Sequence, residues 1–279
     1  SRLEPSSGLM FAVLMTCAHF ADSDLILAAN SSGVLPITSE PCAPSRSRNS
    51  GWRAIFTSSL FNRVTTAGEV WRVKYTPGKM VPEGPYEIIV KDDYRNDKHG
   101  YEHIAKPIAF DQDGHLYVPF GSPGDVCQIL NRIPGEPGEN PCSQLEEHGG
   151  IWQFDESKPE QTIQDGKHYA TGIRSIVAMD WNKQDHTLYV GIHGRDNLHA
   201  TWPALFSSWQ SAIFPSEEFV RVKEGTNGGW PYYYFDQEKK KRVLNPEYGG
   251  DGTKEGDHYA MRIENHFDHG EGGILRLRK

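Results

Sequence analysis

The sequence predicts an all-β protein, and three observations carry that prediction. No stretch between residues 60 and 250 keeps up a helical period, whereas short segments alternate apolar and polar residues as strands do. The 28 glycines and 18 prolines exceed average usage and supply many turns. Hairpins centred on D-x-D-G or N-x-x-D return at ~40–70-residue spacing, the rhythm of propeller blades.

Taken in order, residues 1–60 form a poorly defined N-terminal segment. Its apolar run Gly8–Phe20 has the length of a signal-peptide core, too short to cross a bilayer as a helix, and reads equally as a buried strand or helix or a divergent blade. Pro36–Asn49 is a loop. Strands are predicted at Glu69–Tyr75 and Tyr86–Val90, with a charged loop at Asp92–His99. Lys106–Phe110 and His115–Phe120 form a hairpin across Asp111-Gln112-Asp113-Gly114, where Asp-Gly makes the turn. Further strands follow at Gly150–Phe154, Ser175–Trp181 and Thr187–Ile192. Residues 61–252 therefore carry the blades, and 253–279 a divergent tail with one short strand, Gly273–Leu277.

Composition narrows the function. An apolar content of 37% fits a globular chain, and a net charge of −8 argues against a nucleic-acid partner. Cys127 and Cys142 flank the Pro/Gly-rich loop NRIPGEPGENP; they are either a disulfide, worth ~3 kcal/mol for a loop of ~15 residues, or two buried thiols. No Cys or His pair nearby has zinc-ligand spacing.

Several residues are candidates for chemistry. His103, between a charged loop and a strand, is either a general base or a turn-capping histidine. His193-Gly194-Arg195-Asp196 ends a strand, where glycine lets backbone carbonyls approach a cation or simply makes a tight turn. Arg174 is a carboxylate clamp or an ion-pair partner. Glu217-Glu218 are calcium ligands or a solvated acidic loop. Gly225–Trp230 lacks the phosphate-loop lysine and following helix, which excludes nucleotide binding. No G-x-S-x-G elbow or positioned carboxylate pair supports a hydrolase.

The runs HIAKPIAFDQDGHLYVPFGSPGDVC (His103–Cys127), GGIWQFD (Gly149–Asp155), YATGIRSIVAMDW (Tyr169–Trp181), HGRDNL (His193–Leu198), PSEEFVRVKEGTNGGWPYYYFD (Pro215–Asp236) and VLNPEYGGDG (Val243–Gly252) follow one another in an order that resembles the glucose/sorbosone dehydrogenase family. These are soluble sugar dehydrogenases that use pyrroloquinoline quinone (PQQ), built on six-bladed β-propellers. The resemblance implies a partial propeller of about four blades. It implies an aldose or sugar aldehyde as substrate, PQQ and calcium as cofactors, an external electron acceptor, and a periplasmic or secreted location. His103 matches the base, and Arg174 a cofactor contact beside which Ser175 stands in place of the usual asparagine. Gly194 and Arg195 match the pair whose main-chain carbonyls bind calcium. Tyr233 stands where a cysteine is common. The rival expectation is a non-catalytic propeller-type module that binds carbohydrate or protein and has lost the full cofactor pocket.

Overall fold

The computed structural model describes residues 13–15, 25–29, 53–58, 67–74, 84–93 and 102–254; the expected tail strand Gly273–Leu277 and most of the apolar run Gly8–Phe20 lie outside them. The strands are β1 (Val13–Met15), β2 (Leu25–Ala29), β3 (Arg53–Ser58), β4 (Ala67–Lys74), β5 (Tyr86–Asp93), β6 (Ala109–Phe110), β7 (His115–Phe120), β8 (Gly150–Asp155) and β9 (Lys167–Thr171). They continue with β10 (Ile176–Asn182), β11 (Thr187–Ile192), β12 (Glu218–Val222), β13 (Thr226–Asn227), β14 (Tyr233–Asp236) and β15 (Lys241–Leu244). The all-β prediction holds, with two short helices added, α1 (Leu198–Thr201) and α2 (Ser208–Ile213). Helix α2 starts at a capping box, in which Ser207 Oγ accepts from the Gln210 amide and Gln210 Oε1 from that of Ser207.

The strands make four sheets in the orders β1-β2-β3-β4-β5, β13-β9-β8-β7-β6, β10-β11-β12 and β14-β15. Each is open, and no closed ring of blades occurs among the described residues. The β6–β7 hairpin turns at Gly114 with φ +85°, while Asp111 Oδ1 accepts the amides of Asp113 and His115. Strand β6 is shorter than predicted. Pro107 has no amide to donate to the ladder, and Lys106 instead buries its ammonium 2.6 Å from Asp92 Oδ2 and 3.1 Å from the Pro119 carbonyl.

The β6–β9 sheet is covered on both faces, which is why His115–Phe120 reads as a nearly unbroken apolar run. Leu116, Val118, Phe120, Trp152 and Phe154 pack on Val70, Ile89 and Val90 of the first sheet. Tyr117, Ile151 and Ala170 pack the other way, on Ile176, Met179, Leu188, Val190 and Val220 of the three-stranded sheet. Strand β13 closes this second layer by pairing parallel to β9, Thr226 opposite Ala170. Two buried layers thus hold the ends of β6, β9, β10 and β11 in fixed relation, and the candidate residues project from those ends.

Candidate functional site

Cys127 and Cys142 form a disulfide, packed with Trp230 in a small apolar cluster. The loop it closes returns toward the segment that precedes β6. There Glu102 donates its amide to the Pro123 carbonyl at 3.0 Å, and its carboxylate accepts from Asn131 Nδ2 and from Arg132 Nε and Nη2, all at 2.8 Å.

His103 follows directly. Its Nδ1 lies 2.8 Å from the Ser122 carbonyl and 2.9 Å from Ser122 Oγ. Ser122 Oγ donates its own proton to the Gly124 carbonyl at 2.7 Å, so both Ser122 oxygens face His103 as acceptors. That pattern assigns the proton to Nδ1 and leaves the lone pair on Nε2. Burial, reinforced by the positive charge of Arg174, lowers the ring's pKa to about 4. At neutral pH His103 is therefore an uncharged imidazole able to take a proton. Gly121 permits the fit, since a Cβ there would stand 2.1 Å from the His103 carbonyl oxygen.

Arg174 enters from the loop between β9 and β10, its carbonyl accepting the Ser122 amide at 2.9 Å. Its guanidinium is buried rather than on the surface. Nε donates to the Asp125 carbonyl at 3.1 Å, Nη1 to the Gly194 carbonyl at 2.8 Å, and Nη2 to Asp125 Oδ1 at 2.6 Å and Asp196 Oδ2 at 2.9 Å. Of the five N–H groups of an arginine, one on Nη1 is left outside these bonds. Asp125 is fully buried, and burial alone would raise its pKa, but Arg195, Arg174 and Arg132 together hold it below the usual carboxylate range. Its Oδ2 has no hydrogen-bond partner among the described residues and lies 3.9 Å from Arg132 Nη1. The Asp125 carbonyl also accepts from Trp230 Nε1 at 3.0 Å, which ties in the Gly-Gly-Trp-Pro segment.

The turn after β11 is held from both sides. Glu217 accepts from His193 Nδ1 at 3.0 Å and from the Gly194 amide at 2.8 Å. The Asp196 carboxylate, 3.3 Å from His193 Nε2, raises that ring's pKa, and Glu217 adds to the effect. Burial opposes ionisation of Asp196, but His193 and Arg174 outweigh it and keep the carboxylate charged. Gly194 approaches so closely that a Cβ would lie 2.5 Å from the Ser216 carbonyl oxygen. The Arg195 side chain turns inward to Glu247 Oε1 at 2.8 Å and to Asn245 and Thr201. Ser175 is buried, and its carbonyl accepts the His193 amide at 3.0 Å. Of the acidic pair, Glu217 accepts from the turn, and Glu218 pairs with Arg242 Nη2 at 2.9 Å.

His103, Arg174, Ser175 and Gly194 therefore belong to one hydrogen-bonded assembly. The sequence assigns no role to its connectors Ser122, Asp125 and Glu102, and gives Asp196 only that of stabilising the turn after β11. Three of these lie within quoted runs and Glu102 lies beside one, but nothing local signals partners that are 19 to 49 residues away in sequence. A pocket with room for a few waters, about 40 Å³, lies beside Arg174, Gly194 and Tyr234. Asp111, Asp113 and His115 bring three ligand atoms within 4.8 Å of one another, but both Asp111 oxygens already accept bonds within the hairpin.

No family model matches the chain, and no curated protein matches it. Among solved structures it is similar to a calcium structure of the Trichoderma reesei carbohydrate-active enzyme family AA12, at 13% identity and TM-score 0.47, over 67% of this chain and 47% of that one. It is also similar to a glucose dehydrogenase crystal structure at 13% identity and TM-score 0.40, over 84% of this chain and 64% of that one. A further glucose dehydrogenase matches at 13% identity and TM-score 0.37, over 67% of this chain and 56% of that one. The chain thus spans roughly half to two thirds of the length of these structures. These likenesses are distant, and what the site can do rests on its own atoms.

Proposed function

We propose that the chain is part of a PQQ-dependent oxidoreductase acting on an aldose or sugar aldehyde, with His103 as the general base. The motif resemblance supports the reaction class. The observation that carries the assignment is the state of His103, neutral, with Nδ1–H spent on Ser122 and the lone pair on Nε2. When bound, the quinone supplies acceptance of the hydride. The rest falls to the chain's own residues. Ser122 fixes the tautomer, burial and Arg174 keep the ring neutral, and Nε2 takes the proton of the substrate hydroxyl. Asp125 and Asp196 hold Arg174, whose remaining Nη1–H is its one donor for a cofactor oxygen.

Calcium finds less support. The Gly194 carbonyl already accepts from Arg174 Nη1, so a dication on that oxygen would face a guanidinium at close range. The donor set as arranged does not fit the ion, and no step is routed through it. The same mutual satisfaction of Arg174 and Gly194 favours the second reading, a non-catalytic module that binds sugar or protein.

Calorimetry with PQQ, with and without calcium, separates the two, followed by sugar oxidation with an artificial acceptor. The first reading expects binding, and a fall in turnover of at least ~10²-fold in His103→Gln with binding retained. Absence of binding under both conditions, or unchanged turnover in the variant, rejects it.

A further inference from the structure

The base is held by more than Ser122. Glu102, the residue before it, is gripped by three side-chain hydrogen bonds of 2.8 Å, one from Asn131 and two from the fork of Arg132. Such a two-pronged guanidinium–carboxylate pair fixes direction as well as distance. Both donors belong to the loop that the Cys127–Cys142 bond closes. The loop is itself rigid. Gln128 is fully buried and donates to the carbonyls of Ile133 and Glu136 while its Oε1 accepts the Arg132 amide at 2.8 Å. Arg132 takes φ +59°, a left-handed conformation that disfavours a non-glycine residue. It is that conformation which this ring of bonds maintains. Asn131 Oδ1 meanwhile accepts the Asp125 amide at 3.0 Å, so one loop fixes both Glu102 and the residue that clamps Arg174.

We propose that the disulfide-closed loop Cys127–Cys142 is the positioning element of His103, holding the base in its buried place through Asn131 and Arg132 on Glu102. The proposal rests on His103 being the base, and its test reads the ring directly rather than catalysis.

The ring protons of His103 are followed by NMR through pH in the full chain, in wild type, Glu102→Gln, Asn131→Ala and the double variant Cys127→Ser/Cys142→Ser. The charged groups acting on the ring are Arg174, Asp125 and Glu102. The Glu102 carboxylate favours the imidazolium, so loss of its charge alone would lower the ring's pKa further. Release of the ring into water acts oppositely and raises it toward the ordinary histidine value. The expected result is tenfold or more tighter proton binding at His103 in Glu102→Gln, against the electrostatic sign, with a rise also in Asn131→Ala and in the double variant. Unchanged or weaker proton binding in Glu102→Gln overturns the clamp, and an unchanged ring in the double variant overturns the role of the disulfide. If the ring responds as expected while no protein oxidises sugar, the proposed reaction fails and the positioning stands.

Discussion

Replacing His103 with glutamine should change the pH dependence of stability by an amount the structure fixes. The gap between the ordinary histidine pKa of 6.5 and the buried value of about 4 corresponds to about 3 kcal/mol at 1.36 kcal/mol per pH unit. The folded-state pKa is depressed, so the unfolded chain binds the proton first. The contribution of His103 is fully present above pH 6.5 and is lost as pH falls toward about 4. Glutamine keeps an N–H for the Ser122 carbonyl and does not titrate. The stability difference between wild type and His103→Gln should therefore shift by about 3 kcal/mol in favour of the variant between about pH 7.5 and about pH 4. Urea unfolding of both proteins across that range measures it. His193, whose pKa is raised, has the opposite dependence but cancels in the subtraction. Parallel curves for the two proteins would mean that His103 is solvated in the folded chain, and the argument for a neutral buried base would go with them.

Two further outcomes follow from the packing. Glu247→Ala should cost about 3–5 kcal/mol, because it leaves the buried Arg195 guanidinium and Trp202 Nε1 without their shared carboxylate; a loss below about 1 kcal/mol in chemical unfolding would contradict the pairing. Adding Arg195→Met should recover most of it, since the uncompensated charge is then gone. Reduction of Cys127–Cys142 should cost about 3 kcal/mol on the chain-entropy model, read as a lower urea midpoint with reductant, and the double serine variant should match the reduced protein without any.

The parts of this molecule that could be read in advance are those whose cause is local. The hairpin at Asp111–Gly114 was legible because Asp111 bonds amides two and four residues on. The strand Thr187–Ile192 keeps its predicted bounds, since its buried residues alternate. The disulfide option was legible from a proline-rich span with nothing else to hold it. His103 and Arg174 were singled out by type and setting, but their environment was not. Whether a histidine is neutral depends on its burial and on Arg174, and whether an arginine is free depends on Asp125 and Asp196, none of which alternation or spacing reveals. Arg195 shows the same limit, since only the folded chain brings Glu247 and Asn245 around it. The two-residue strand β13 had no periodicity to offer and is defined by its parallel partner alone.

That partner has a mechanical meaning. Because Thr226 returns to lie beside Ala170, residues 172–225 form an excursion that leaves and rejoins one strand, with its two ends about one strand spacing apart. Arg174, Gly194, Asp196 and Glu217 ride on the excursion, while His103, Ser122 and Asp125 stay on the stationary side. The bonds from Arg174 to Asp125 and from Ser122 to Arg174 cross the seam between them, as do those from Ile173 to Gly149 and from Trp181 to Gln112. Since the core that packs Ile176, Met179, Leu188 and Val190 on Tyr117, Ile151 and Ala170 spans the same seam, base and guanidinium keep their spacing only as long as that core is closed.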